Sequence, residues 1–380
     1  MLGILFCHLD RGPPVGMAAQ GLPSCLQLLE HWSANWTAFL LFRSLKEILM
    51  EILYKILSFI FISIVIQFSI ATVLILFGKG KKPTLDECRL AFNELFFDYT
   101  NLPQLQTFSD RDGKPLAYRH YPAQSDKVII LIHGSGWHSR YFLPLAEFIS
   151  SEGLAQVYTP DLRGHGPTPE RRGDVDYIDQ LEDDLADLVA IIRKDHPSAL
   201  LIVGGHSSGA GLVIRFAGSR YGKQADAYML LSPYLKYNAP TIRPNSGWAH
   251  AYTGRIAGLA ILNTMGIHWF DYLTAIEFNM PEKARDGTET LSYSHRLNIA
   301  YAPRNYKKDL RAITQPLWVV AGTADKANIA DQFEPVISQY TAVQVKLLPD
   351  VTHMGVVVSP EIRPVVEEWL KDQGRIGLGE

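Results

Sequence analysis

A serine that could act as a nucleophile lies at position 207, within a Gly-His-Ser-Ser-Gly motif at 205–209. A serine hydroxyl is a weak nucleophile unless a base removes its proton. The motif follows the apolar run 199–203 and precedes small residues that open a helical stretch. When a sharp turn joins a strand to a helix, the hydroxyl of a serine in the turn is exposed. The glycines are needed because the turn brings backbone segments too close together for a Cβ. We therefore predict that Ser207 is a catalytic nucleophile.

Two further residues could activate this serine. Asp325 ends a Gly-Thr-Ala-Asp motif that directly follows the apolar run 317–320, and His353 lies in a loop 28 residues later. A carboxylate can orient an imidazole and stabilise its cation while the imidazole takes the serine proton. The chain order serine, aspartate, histidine is one of the known orders of this arrangement. The rival carboxylates are Asp331, Glu334 and Asp350, and Asp325 is favoured because it follows a strand directly.

Acyl transfer also needs donors for the oxyanion of the tetrahedral intermediate. A His-Gly-Ser-Gly motif at 133–136 directly follows the apolar run 127–132, and such a turn can supply the backbone N–H of Ser135. The second donor is the N–H of Ser208, at the start of the helix after the nucleophile. A plain turn between a strand and a helix is the alternative for the first motif.

The elements that must position these residues alternate between strands and helices. Short apolar runs ended by Gly, Pro or Asp are typical of buried parallel strands. They occur at 127–132, 156–158, 199–203, 227–231, 317–320 and 343–348. Between them, 178–192 carries apolar residues at helical spacing. The pattern predicts an α/β fold, a mostly parallel sheet with helices on both faces, preceded by a hairpin at 105–121.

One stretch interrupts this alternation. Between Pro233 and Pro316 lie 82 residues rich in Trp, Tyr and Phe, too many for a single crossover connection. We predict an inserted, mostly helical cap at about 235–312. The histidines 138, 165 and 206 are expected to make hydrogen bonds within loops. The twelve histidines form no HExxH or similar spacing, so we predict no metal and no cofactor.

The N-terminal part of the chain has a different composition. Residues 56–77 form 22 consecutive residues without a charge, about 33 Å of helix, which is enough to cross a bilayer. We predict a transmembrane anchor at 56–78. Residues 1–55 are an N-terminal extension, which is amphipathic or in part absent from the mature protein, because Met50 could start the chain and leave out the first 49 residues. The lysines 79, 81 and 82 after the span favour a cytoplasmic location for the large domain.

Composition excludes several classes of protein. Thirty-six basic and 39 acidic residues give a net charge of −3, which argues against nucleic-acid binding. Three cysteines without a Cys-x-x-Cys pair argue against a disulfide framework and a zinc knuckle. An apolar content of 47% argues against a disordered chain.

These motifs together resemble a known family. Residues 105–370 are similar to α/β-hydrolases of the monoglyceride lipase, lysophospholipase and serine aminopeptidase-like group. The matching sequences are DGKPLAYRHY (112–121), HGSGWHSRYFLPLA (133–146), DLRGHG (161–166), GGHSSGA (204–210), GTAD (322–325) and VTHMG (351–355). The resemblance implies an α/β-hydrolase fold over 84–380, with Ser207, Asp325 and His353 as the triad. The chain departs from monoglyceride lipases at Ser208 and Ala210, where Met and Gly are common.

We therefore expect a membrane-anchored serine hydrolase that cleaves a carboxylic ester through an acyl-enzyme. An apolar cap and a membrane anchor favour a lipophilic acyl ester, a monoacylglycerol or a lysophospholipid. Two alternatives remain open. One is an aminopeptidase or amidase of the same fold, in which Glu277, Glu282 or Asp286 would hold the amine. The other is a membrane-tethered interaction protein without activity, which an intact set of catalytic residues disfavours.

Overall fold

The computed structural model describes residues 25–78, 88–244 and 246–373. The chain divides into two compact units, residues 1–67 and 68–380. The first 24 residues of the predicted extension lie outside the described residues, as do the lysines 79, 81 and 82. All the predicted site residues lie within the described residues.

The first helix, α1, runs from Cys25 to Phe77. This stretch contains neither Gly nor Pro, and Gly78 follows its last residue. The predicted span is therefore the C-terminal part of a longer helix, in which Asn35–Phe77 is long and apolar enough to cross a membrane. Its hydroxyls bond back to the helix, as Thr72 Oγ1 does to the carbonyl of Phe68 at 2.8 Å.

Eleven strands follow in the part of the chain that the structure describes. They are β1 (Gln106–Ser109), β2 (Pro115–Tyr121), β3 (Lys127–Ile132), β4 (Gln156–Pro160), β5 (Leu200–His206), β6 (Ala227–Leu231), β7 (Ala249–Ala251), β8 (Thr274–Phe278), β9 (Ser292–Ser294), β10 (Leu317–Gly322) and β11 (Gln344–Leu348). Eight form one sheet in the order β1-β2-β4-β3-β5-β6-β10-β11. All its pairings from β4 to β11 are parallel, and β2 is antiparallel to both β1 and β4. The predicted mostly parallel sheet is confirmed.

Helices cover both faces of this sheet. The remaining α-helices are α2 (Leu143–Ser151), α3 (Gln180–Asp195), α4 (Ser208–Ala217), α5 (Thr253–Thr264), α6 (His295–Ala300), α7 (Tyr306–Arg311), α8 (Phe333–Ile337), α9 (Gly355–Val358) and α10 (Ile362–Gln373). Short 3₁₀ helices lie at Phe92–Leu95, Ser139–Phe142, Gly222–Gln224, Glu282–Ala284 and Ala330–Gln332. Along β3, Ile130 and Ile132 pack toward α3 and α4, whereas Ile129 and Leu131 pack toward α2 and α10. This alternation explains why the strand is apolar at every position from Val128 to Ile132.

The cap lies between β6 and β10. It contains α5, α6 and α7, and also a three-stranded antiparallel sheet in the order β7-β8-β9. This small sheet is not predicted from the sequence. Two of its strands are only three residues long, too short for a strand pattern to be recognised in the sequence.

A buried arginine joins the cap to the body. The side chain of Arg215, on α4, is almost completely buried. Its Nε donates to Glu182 Oε2 at 2.5 Å and one Nη to Asp179 Oδ1 at 2.7 Å. The other Nη donates to the carbonyls of Ile299 and Ala302 at 3.1 and 3.2 Å. One guanidinium thus holds α3, α4 and the end of α6 together.

Arg215→Ala should lower the free energy of unfolding by about 3 kcal/mol, because it removes one of the two arginine partners of the buried Glu182 carboxylate and the donors to the carbonyls of Ile299 and Ala302. Urea unfolding followed by circular dichroism measures this change. Arg220→Ala is the matched control, since the Arg220 side chain is 71% exposed and its partner Asp183 also pairs with Arg111. Equal stabilities for the two variants would contradict this role for Arg215.

Candidate active site

Ser207 lies in a strained turn between β5 and α4. Its φ of 55° and ψ of −119° are unusual for a residue with a side chain. The flanking glycines are required by close packing. A Cβ on Gly205 would lie 2.6 Å from the carbonyl carbon of Gly209, and one on Gly209 would lie 2.2 Å from the carbonyl oxygen of Ile132. The turn therefore has the geometry that the sequence motif predicted.

The structure brings the three predicted catalytic side chains together. His353 Nε2 lies 3.0 Å from Ser207 Oγ, and His353 Nδ1 lies 2.8 Å from Asp325 Oδ2. Because Nδ1 faces a carboxylate, it carries the ring proton, and Nε2 is free to accept the hydrogen of the Ser207 hydroxyl. Asp325 and His353 are buried, at 1% and 3% exposure.

The Asp325 carboxylate is held in its charged form. Burial alone would raise the pKa of this carboxyl, but His353 and the backbone N–H groups of Ala327 and Asn328 hold the pKa well below its usual range. These two N–H groups donate to Oδ1 at 2.6 and 2.9 Å, which leaves Oδ2 for the imidazole. The site therefore keeps a negative charge beside His353 at neutral pH.

The rival carboxylates lie elsewhere. Asp331 belongs to the 3₁₀ helix after β10, Glu334 to α8, and Asp350 to the turn after β11. Within the described residues, none of them is hydrogen-bonded to His353. Sequence reasoning missed Asn328, whose Nδ2 donates to Asp325 Oδ2 at 3.1 Å. Only one signal in the sequence could have identified Asn328. It lies three residues after the aspartate, in a turn that the carboxylate caps.

The predicted oxyanion loop lies directly against the nucleophile. A Cβ on Gly134 would lie 3.3 Å from the Cβ of Ser207. The N–H groups of Gly134 and Gly136 donate to the hydroxyls of Tyr141 and Tyr293, at 2.6 and 2.8 Å. In the described part of the chain, the N–H of Ser135 between them has no acceptor. Ser208 is the first residue of α4, where backbone N–H groups lack partners within the helix.

A chain of hydrogen bonds that the sequence did not reveal joins three loops. The N–H of Gly134 donates to the Tyr141 oxygen, and the Tyr141 hydroxyl donates to His206 Nδ1 at 3.0 Å. His206 Nε2 in turn donates to the backbone carbonyl of His353 at 3.0 Å. Burial lowers the pKa of His206 to about 3, so the ring stays neutral and can both accept and donate. The oxyanion loop, the nucleophile turn and the base loop are thus linked directly.

The histidines 138 and 165 also make loop hydrogen bonds, as expected. His138 Nε2 lies 2.9 Å from Thr288 Oγ1, and His165 Nε2 lies 2.6 Å from the Tyr293 hydroxyl. Both partners belong to the cap. Among the residues that the structure describes, no group of three or more His, Cys, Asp or Glu side chains is placed to hold a metal ion.

The cavity over Ser207 is small. Its volume is about 20 Å³, which is space for about one water molecule. It is lined by Ser207, His353, Ser135, the aromatic side chains of Phe92, Trp137 and Trp248, and neighbouring apolar residues. A larger cleft of about 610 Å³ lies elsewhere, among charged residues of α3, of α7 and of the segment that follows α4. None of the predicted site residues lines that cleft.

Buried neutral histidines should make stability depend on pH. Burial lowers the pKa of His133 to about 4 and of His206 to about 3, against about 6.5 in an unfolded chain. Below pH 6.5 the unfolded state therefore binds protons that the folded state does not, and stability falls as the pH falls. We expect each histidine to lower the free energy of unfolding by about 2 kcal/mol between pH 7 and pH 5.

Urea unfolding at both pH values tests this, and His133→Gln should reduce the pH dependence. His268→Gln is the control, because that side chain is 57% exposed. An unchanged pH dependence in His133→Gln would contradict a neutral, buried imidazole.

Comparisons with known proteins identify the family to which the chain is similar. Residues 123–356, more than half of the chain, match the family model described as serine aminopeptidase, S33. A monoacylglycerol lipase from Mycolicibacterium smegmatis is 32% identical over 129 residues, which are 33% of this chain and 45% of that protein. Human monoglyceride lipase is 31% identical over 142 residues, 37% of this chain and 45% of that protein. The matched region thus spans less than half of these relatives' length.

Solved structures resemble the fold. A soluble variant of monoglyceride lipase from Saccharomyces cerevisiae, in complex with a substrate analogue, aligns with a TM-score of 0.58 at 19% identity, covering 73% of this chain and 97% of that one. A carboxyl esterase from Bacillus coagulans, in complex with glycerol, aligns with a TM-score of 0.54 at 17% identity, covering 72% of this chain and 98% of that one. The fold is that of an α/β-hydrolase, and the chain belongs to the serine aminopeptidase S33 family of hydrolases.

Proposed function

We propose that the chain is a serine hydrolase that cleaves the carboxylic ester bond of a lipophilic acyl ester, of the monoacylglycerol or lysophospholipid type. The observation that carries this proposal is the continuous hydrogen-bonded series from Ser207 Oγ through the His353 ring to Asp325. This series lies at the strained turn of Ser207, beside the loop in which the N–H of Ser135 has no acceptor among the described residues. These are the parts that two-step acyl transfer requires.

In the first step, His353 Nε2 takes the Ser207 proton as the serine oxygen attacks the ester carbonyl carbon. The carbonyl oxygen becomes an oxyanion, which the N–H groups of Ser135 and Ser208 stabilise. The imidazolium that forms lies against the ionised Asp325. When the intermediate collapses, His353 gives its proton to the departing alcohol, and an acyl-enzyme on Ser207 remains.

In the second step, a water molecule replaces the alcohol. His353 removes a proton from this water, which attacks the acyl carbonyl and forms a second tetrahedral intermediate in the same oxyanion site. Collapse returns the proton to Ser207 and releases the carboxylic acid. No metal or organic cofactor is needed in either step.

An ester substrate fits the surroundings of Ser207 better than a peptide with a free amine. The cavity lining is mostly apolar and aromatic. Among the described residues, the acidic cap residues that could hold an amine do not line this cavity, and two have other partners. Glu277 accepts a hydrogen bond from the Tyr252 hydroxyl at 2.6 Å, and Asp286 forms an ion pair with Arg140. The lipase names of the relatives favour the same substrate class.

Full-length protein should react covalently with a small fluorophosphonate at Ser207 and should hydrolyse acyl esters faster than aminoacyl amides. Ser207→Ala should lose the labelling and at least about 10³-fold in kcat/KM, because it removes the nucleophile. Ser150→Ala is a surface control that should keep both. Labelling of the Ser207→Ala variant at the wild-type rate, or faster cleavage of aminoacyl amides than of esters, would refute the proposal.

We also propose a single membrane anchor at 56–78, an N-terminal extension at 1–55, and a catalytic domain at 84–380 with its cap at about 235–312. The catalytic domain then lies on the cytoplasmic side, because the lysines 79, 81 and 82 follow the apolar stretch as a tight cluster.

Protease added to sealed vesicles should digest the catalytic domain only when the cytoplasmic face points outward. Replacement of the three lysines by Asn should weaken this orientation, since it removes the positive charges that set it. Digestion only from the opposite face would reverse the assignment.

A further inference from the structure

The short segment that follows α1 in the chain lies over the candidate nucleophile. We call residues 88–97 the connector; it contains the 3₁₀ helix Phe92–Leu95. Leu90, Phe92 and Leu95 are buried at 7%, 3% and 2% exposure, whereas the neighbouring Phe96 is 55% exposed. The three buried side chains belong to the same apolar cluster as Trp137 and Met354. The connector is therefore packed into the body rather than lying free on its surface.

Phe92 forms part of the cavity wall beside the oxyanion loop. Its ring stacks on Trp137, with 6.1 Å between ring centroids, and lies 5.0 Å from the ring of Trp248. Trp248 Nε1 donates to Ser135 Oγ at 3.2 Å. Phe92 and Leu95 line the cavity together with Ser207 and His353. The connector thus occupies space directly next to the proposed reacting atoms.

The connector is attached to the rest of the site by polar contacts on both sides. The N–H of Arg89 donates to the carbonyl of Ser246 in the cap, at 3.0 Å. The Glu94 carboxylate accepts a hydrogen bond from Thr352 Oγ1 at 2.6 Å, in the residue just before His353. These contacts fix the position of the Phe92 ring relative to both the cap and the base loop.

The small size of the cavity makes the position of the Phe92 ring important for substrate binding. Pockets that bind small molecules usually measure about 300–1,000 Å³, whereas this cavity measures about 20 Å³. The Phe92 ring and the Leu95 side chain line this cavity, where an acyl chain attached to Ser207 would need space.

We propose that Phe92 and Leu95 are specificity-determining residues that limit the length of the acyl chain. The segment joining the apolar helix to the hydrolase domain would then form the wall of the acyl site. This inference rests on the proposed esterase function. Each methylene that a pocket accepts from water contributes about 0.8 kcal/mol, or about fourfold in an equilibrium constant. Enlarging the pocket by a benzyl group should therefore favour longer acyl chains strongly.

The test uses full-length protein in detergent and compares kcat/KM for p-nitrophenyl butyrate and p-nitrophenyl octanoate. Phe92→Ala should raise the octanoate-to-butyrate ratio by at least about tenfold over wild type. Phe92→Trp, which adds volume, should lower it. Phe96→Ala is the matched control, because it removes the same side chain from an exposed position of the same segment, and its ratio should equal that of wild type.

A milder variant, Phe92→Leu, keeps the test valid if Phe92→Ala does not fold, and it should shift the ratio in the same direction. Labelling of Ser207 by a small fluorophosphonate shows for each variant that the site is assembled. Equal ratios for wild type and the folded Phe92 variants would overturn the inference while leaving the esterase proposal intact. Failure of wild type to label or to cleave either ester would instead refute the proposed function itself.

Discussion

The hydrogen bonds of the neutral His206 ring hold the candidate site together. The ring accepts from Tyr141, which itself accepts from the oxyanion loop, and it donates to the carbonyl of the residue that carries the base. A protonated imidazole could not accept from Tyr141, so this connection exists only while burial keeps the ring neutral. This one side chain therefore links the loops that carry Ser207, His353 and the oxyanion donors.

The backbone at Ser207 imposes a second constraint. Its positive φ is maintained because β5 and α4 are both anchored: β5 lies between β3 and β6 in the sheet, and α4 carries the buried Arg215. Strain of this kind persists only where the surroundings leave the chain no alternative. The glycines at 205 and 209 have no room for a Cβ. The Gly-His-Ser-Ser-Gly motif is therefore required by close packing as well as by the chemistry of Ser207.

Much of the fold and the candidate triad could be predicted because the relevant signals are local. The central strands, β3, β5, β6 and β10, are short apolar runs buried on both faces. The predicted site residues directly follow a strand, lie in the loop after one or, for Ser208, begin the helix after one. The roles of these residues stay predictions, although their side chains meet. Tyr141, Asn328 and the connector escaped notice because their importance comes from contacts between distant segments. Phe92, for example, looks like any apolar residue until Trp137 and Trp248 are placed beside it.

The cap and the connector are attached to the body by different contacts. The guanidinium of Arg215 donates to two carbonyls near the end of α6, so displacing that end of the cap would remove two acceptors from a buried side chain. The connector is attached by one backbone hydrogen bond, one hydroxyl-to-carboxylate contact and the buried side chains of Leu90, Phe92 and Leu95. Displacing the connector would therefore bring three apolar side chains into water, whereas displacing the end of α6 would leave polar groups unpaired.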